Sequence, residues 1–333
     1  MNEMPKLTVS SSPHIRAAQN TASIMRDVVI ALVPALAVAV IMFGMSALMV
    51  IVSSVVSCVF FEWGYRKLMK KSNTIGDFSA VVTGVLLACC LPAGVPVWLP
   101  VIGGFFAIVV VKQLYGGLGK NFVNPALAGR AFLFSWPVLM TTWQAPNFSY
   151  GADVVTSATP MSFLHLGKLP EGISVMGSFL GTIGGSLGEI SALALLLGGA
   201  YLVWRKVISL RIPASYLLTV AVLTLIFPRG NDPILWMLYN LFGGGLMLGA
   251  IFMATDYATS PITPKGQIVY GIGCGCLTVL IRYFGGYVEG VSYAILIMNV
   301  CVWLIDRYTM PRRFGVSKED MQKAKAAKKE AAK

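Results

Sequence analysis

Charge and histidine are what this chain has least of. Asp, Glu, Lys and Arg make up only 12% of its 333 residues, and only two residues are His, too little polar surface to clothe a soluble domain of this length. The six cysteines, Cys58, Cys89, Cys90, Cys274, Cys276 and Cys301, fall in apolar stretches and lack the spacing of a zinc site or a disulfide framework. Cys274 and Cys276 come nearest to a pair, but residues two apart on a helix point in different directions; buried, inert thiols account for all six. The first 26 residues are polar, with Ser10-Ser11-Ser12-Pro13, and have neither the apolar core nor the small-residue cleavage site of a signal peptide. These absences argue against zinc chemistry, a disulfide scaffold and a secreted soluble fold.

What is abundant is apolar sequence, 56% of residues, in long runs separated by short polar patches. A span needs about 20 mainly apolar residues. The expected fold class is therefore an all-α integral membrane protein of about ten transmembrane helices, at 27–44, 46–65, 77–93, 97–114, 124–143, 180–204, 213–228, 233–254, 267–284 and 291–307. The fifth is interrupted by Arg130 and Pro137, the sixth by the glycine-rich run from Gly181 to Glu189. Around this domain, 27–311, lie a segment 1–26 and a basic tail 312–333.

Orientation follows from the cations, since short loops rich in Lys and Arg stay cytoplasmic. Arg16 and Arg26 precede the first span; Arg66, Lys67, Lys70 and Lys71 follow the second, Lys112 and Lys120 the fourth, Arg205, Lys206 and Arg211 the sixth, Lys265 the eighth, and Arg312 with Arg313 the tenth. Both termini are then cytoplasmic, and the loop 144–178 is extracytoplasmic. The net charge of +12 is largely this topology together with the tail, so no nucleic-acid partner is needed to explain it. The tail reads as a solvated end, with membrane lipid the partner it would meet if it lay on an anionic surface.

Three polar stretches interrupt the apolar sequence. Gly116 to Ala126 is a glycine-rich turn leading to a helix capped by Asn124 and begun by Pro125. Asn121 and Asn124 offer donors and acceptors suited to the carbonyl and N–H edge of an isoalloxazine, although a capping turn alone would look the same. Met253 to Pro264 holds Asp256, readable as a cap, as a partner for Arg130 or Lys120, or as a cofactor or ion ligand. The third, from Asp153 to Pro160, presents hydroxyls among small residues. Two runs of five spans, each with a break, suggest inverted five-helix repeats.

Asp153-Val154-Val155-Thr156-Ser157-Ala158-Thr159 resembles the signal Asp-x-x-Ser/Thr-Gly-Ala-Thr, at which a separate flavin transferase joins the phosphate of FMN to the last threonine. It departs from that signal at Ser157, where a glycine is usual, and so lacks that residue's backbone freedom. Together with Ser12-Pro13-His14, Gly119 to Ala126, Gly184 to Glu189, and Ala254-Thr255-Asp256 with Ser260-Pro261, it resembles the RnfD/NqrB family, membrane subunits of the Rnf electron transport complex and of the sodium-pumping NADH:quinone reductase. The lack of the longer N-terminal region expected in the reductase subunits favours the Rnf branch. The resemblance implies covalent FMN as a phosphoryl threonine at Thr159, with Asp153, Thr156, Ser157 and Ala158 around it, and a non-covalent flavin, riboflavin, near Asn121 and Asn124. It implies a prokaryotic inner-membrane complex with other Rnf subunits, of the A, B, C, E and G types, linking ferredoxin and NAD to Na+ or H+ movement, with no catalytic side chain in this chain. Glu189 and Asp256 are the ion-path candidates. The competing expectation is a secondary transporter or channel without a redox cofactor, for which broken spans and abundant glycine are equally apt.

Overall fold

The computed structural model describes residues 19–144, 159–170 and 174–311. Asp153, Thr156, Ser157 and Ala158 lie outside the described residues, as do residues 1–18 and the tail 312–333. Among the described residues the regular structure is helical, apart from isolated bridges such as that between Pro92 and Ser186.

Four helices are long and apolar enough to cross a bilayer uninterrupted: α1 (Thr21–Phe43), α2 (Met45–Leu68), α13 (Pro264–Phe284) and α14 (Val291–Thr309). α1 begins with a capping box between Asn20 and Ser23, which satisfies orphan N–H groups reciprocally. A single residue, Gly44, at φ 65°, joins α1 to α2, a left-handed conformation that favours glycine.

The remaining expected spans are broken or short, each break marked by residues that end helices. The third is only α3 (Ser79–Cys89), followed by a turn at Leu91-Pro92. The fourth is α4 (Trp98–Phe105), continuing as a π-helix over Phe106–Gln113. The fifth divides into α5 (Pro125–Leu133) and α6 (Pro137–Thr141). α7 (Pro160–His165) and α8 (Val175–Leu180) are short, and the sixth expected span becomes helical only at α9 (Ala192–Trp204), its glycine-rich first part being irregular. α10 (Arg211–Ile226) follows. The eighth is bent by 60° between α11 (Pro233–Phe242) and α12 (Leu246–Leu248), the latter continuing as a π-helix over Gly249–Met253.

The solvent of the outer surface is legible in the burial pattern. Ile41 and Phe284 are 69% and 78% exposed, whereas Lys112 and Glu62 are each 1% exposed. Apolar groups face outward and charges inward, as a hydrocarbon surround requires.

Two segments share one design: a π-helix, an irregular turn, a capping Asn or Thr, then a helix opened by proline. Asn124 and Pro125 begin α5, and Thr263 and Pro264 begin α13. Both turns lie at the same end of the bundle, where the Asn124 side chain donates to Met253 O at 3.3 Å. These two segments therefore run in the same direction, as the even-numbered span exits of the expected topology require. That end also carries the Arg205 to Asp27 ion pair and Arg66, which make it the basic end of the bundle.

Close helix crossings set the frame. A Cβ on Gly198 of α9 would lie 2.1 Å from Ala31 O of α1, and one on Gly84 of α3 would lie 2.7 Å from Val55 Cα of α2. Because those neighbours are backbone, Gly198→Val is expected to destabilise the protein by roughly 1–3 kcal/mol through overpacking. A lowered thermal midpoint in detergent checks this, and an unchanged midpoint would contradict the crossing.

Candidate functional site

At the basic end the structure brings Asn121, Asn124 and Asp256 into the wall of one cavity, together with Ser79, Lys112 and Thr255. Asn124 is committed to backbone: its Oδ1 accepts from Ala126 N at 3.0 Å while its Nδ2 donates to Met253 O. Asn121 donates to Val123 O at 3.1 Å, and its Oδ1 has no partner among the described residues. Asn299 of α14 ties the two turns together. With its amide oriented to satisfy both ends, it accepts from Asn124 N at 3.1 Å and donates to Thr259 O at 3.1 Å.

Asp256 pairs with neither Arg130 nor Lys120. Its Oδ2 accepts from the Thr259 hydroxyl at 3.0 Å, and its backbone oxygen accepts from Ser260 N at 3.0 Å, so it caps its own turn. Burial pushes its carboxyl above the ordinary value, opposed by the Thr259 hydroxyl, the Ala258 N–H and the Lys112 charge. Lys112, counted in the sequence as a loop cation, is buried in the π-helix. It donates at 2.7 Å to both Glu62 Oε2 and Ser79 Oγ, while Thr74 donates to Glu62 Oε1 at 2.8 Å.

Thr159 lies at the opposite end, in a second cavity of about 390 Å³ lined also by Arg130, Phe134, Trp143, Ser162, Tyr287 and Glu289. Thr159 holds the N-cap position of α7, with Pro160 at the first helical position, yet its side chain makes no capping bond. Ser174, Ser191 and Thr263 in the same position do, whereas Asp232 at the start of α11 does not. Arg130 is ion-paired with Glu289, donates to Ser292, and lies 5.6 Å from the centre of the Phe134 ring.

Between the two cavities the chain crosses itself without helix. Leu187 N and Gly188 N donate to Leu91 O and Cys89 O at 3.0 and 2.8 Å, so one break satisfies the other. Glu189 is 8% exposed beside this crossing, and its Oε2 has no partner. Arg282 of α13 donates to Asn240 O at 2.6 Å and to Gly243 O at 3.3 Å, placing a cation at the C-terminal carbonyls of α11. Glu189 and Asp256 are thus in separate places. Sequence reading missed Glu62, Glu289, Arg282 and the aromatic rings around Thr159; the only signal was that each acid or Arg stood within or beside an apolar run.

A helical, multi-pass membrane protein with broken spans and, at each end, a largely apolar cavity holding a few polar and charged groups is the class these features define. The chain belongs to the NQR2, RnfD, RnfE family, whose profile matches residues 8–315. It is 54% identical over 321 residues to the D subunit of the Na+-translocating ferredoxin:NAD+ oxidoreductase complex of Acetobacterium woodii, covering 96% of this chain and 98% of that protein. It is 45% identical to the D subunit of the proton-translocating ferredoxin:NAD+ oxidoreductase complex of Clostridium ljungdahlii, covering 92% and 96%. With the D subunit of an ion-translocating oxidoreductase complex of Actinobacillus succinogenes the identity is 38%, covering 94% and 98%.

Removing one partner of a buried pair strands the other charge, at about 3–5 kcal/mol. Glu289→Gln should therefore depress the unfolding midpoint strongly. Asp27→Asn, whose partner Arg205 has a side chain 45% exposed, should cost about 1 kcal/mol or less. Equal effects in parallel melts would refute the contrast.

Proposed function

We propose that this chain is the D-type membrane subunit of an ion-translocating ferredoxin:NAD+ oxidoreductase, carrying FMN esterified to Thr159 and riboflavin held without a covalent bond in the Asn121 cavity. The observation that carries the reading is the Thr159 hydroxyl. It holds an N-cap position without making a capping bond, and it stands on the wall of a cavity with three aromatic rings and an arginine. A hydroxyl not spent on capping suits a phosphoester, rings suit an isoalloxazine, and a cation suits a phosphate. At the other end, the Asn121 Oδ1, unpartnered among the described residues, and the Asp256 carboxylate offer acceptors for a ring N–H.

Flavins supply reversible one- and two-electron transfer when bound. The chain's own residues hold and orient: Thr159 by a covalent bond, Arg130 by charge, and Asn124 by fixing the turn that presents Asn121. The two cavities then form stations at opposite ends of the bundle, with the basic end cytoplasmic, Thr159 extracytoplasmic, and subunits of the A, B, C, E and G types as neighbours. Glu189 and Asp256 are the candidate ion-path carboxylates. Added negative charge in a low dielectric favours uptake of a compensating cation, and Glu189, buried with a free oxygen beside the crossing of two breaks, is placed to receive one.

A cofactor-free transporter is the second reading, favoured by the bent α11 to α12 segment. The two separate on a denaturing gel of the purified complex. A flavin-fluorescent band at the position of this chain, lost in Thr159→Ala, supports the flavoprotein; a dark wild-type band supports the transporter. Glu189→Gln is expected to leave electron transfer running while reducing ion uptake into vesicles, whereas Asp256→Asn, which also alters the riboflavin cavity, is expected to lower both. Full coupling in Glu189→Gln would remove Glu189 from the path.

A further inference from the structure

The Lys112 to Glu62 pair is the one buried ion pair among the described residues that borders the basic-end cavity. Its arrangement there is asymmetric: Lys112 and Ser79 line the cavity, whereas Glu62 stands behind them. Lys112 uses two of its three N–H groups on Glu62 and Ser79, and the third has no partner among the described residues. A pair that is neutral as a whole therefore presents its positive end to the ligand. The hydrogen bonds from Thr74 to Glu62 and from Lys112 to Ser79 hold this orientation, so the lysine is not free to turn away. Its place on a π-helix, which aims side chains differently from an α-helix, fits a ligand-facing role.

We infer that Lys112, backed by Glu62, makes this cavity select the reduced, anionic form of a ring ligand over its neutral oxidised form. The inference rests on the proposal that the cavity holds riboflavin, and deepens it by naming the residue that discriminates between oxidation states. An isoalloxazine that has taken up two electrons and one proton carries one negative charge, whereas the oxidised ring carries none. The Asn121 amide meets either form through neutral hydrogen bonds and cannot discriminate by charge. Of the other ionisable groups in the wall, Tyr257 is a neutral phenol, and Asp256 bears the opposite sign and works against an anion. Selection in favour of the anion therefore falls to Lys112. At an effective dielectric constant near 20, an opposed pair a few ångströms from the ligand shifts relative affinity by about tenfold.

The test uses the purified complex after extraction of its non-covalent flavin, with riboflavin as probe, measured by equilibrium dialysis once oxidised and once in excess dithionite. Wild type is expected to bind the reduced probe more tightly. Replacing the pair as a unit, Lys112→Met with Glu62→Gln, avoids stranding a buried carboxylate and should lower that preference about tenfold. Lys112→Arg should retain most of it. Should the double variant not fold, Lys112→Gln with Glu62→Gln serves the same purpose while keeping hydrogen bonds in place. An unchanged preference in a folded double variant overturns the role of Lys112 and leaves the riboflavin site standing. Failure of wild type to bind either form overturns the riboflavin reading itself, and this inference with it.

Discussion

Backbone that leaves the helix inside a membrane must find its hydrogen bonds within the protein, because hydrocarbon offers none. Much of this architecture follows from how that demand is met. The α3 turn and the glycine-rich segment before α9 pair with each other through Cys89, Leu91, Leu187 and Gly188. The carbonyls left at the end of α11 are taken by Arg282. The two turns at the basic end lean on Asn124 and Asn299. In each case a polar side chain or a second break substitutes for the missing ladder, and the cavities lie beside these substitutions, where the helices cannot close against one another.

The interior charges obey the same logic. Glu62 with Lys112, and Glu289 with Arg130, are matched pairs in surroundings where a lone charge would be prohibitive. Such pairs add little to stability relative to apolar packing; what they contribute here is position, one bordering each cavity. Unpartnered atoms remain among them, on Glu189, Arg130, Arg282 and Gln113. A buried polar atom left without a partner invites a ligand, an ion or a water, and the sites proposed for flavins and ions are drawn from these regions.

The helical membrane class was plain in the apolar runs, and the cap and proline at Asn124 and Pro125 were readable because capping is local chemistry. The motif that points to Thr159 was equally local, although what surrounds that threonine was not: Arg130 and Glu289 stand far from it in sequence and meet it only through folding. Hydropathy registers composition and is nearly blind to a turn built of glycine, leucine and serine, which is why the span expected at 180–204 proved helical only from Ala192. Charge counting erred at Lys112 for a related reason. It weighs sign without partners, and the partner, Glu62, lies on another helix fifty residues away. Asp256 was recognised as notable, but its cavity neighbours Ser79, Lys112 and Asn121 come from other stretches of the chain.

The two π-helical segments bear on how such a protein could change shape. A π turn holds one more residue than an α turn, so it stores a slip of a single residue without breaking the helix that contains it. Phe106–Gln113 and Gly249–Met253 each end at a turn bordering the basic-end cavity. Were either to relax to α-helical winding, everything between the slip and the following proline would rotate by about a quarter turn. The wall of the cavity would then present a different set of side chains to its contents, while α5 and α13, anchored beyond, stayed where they are.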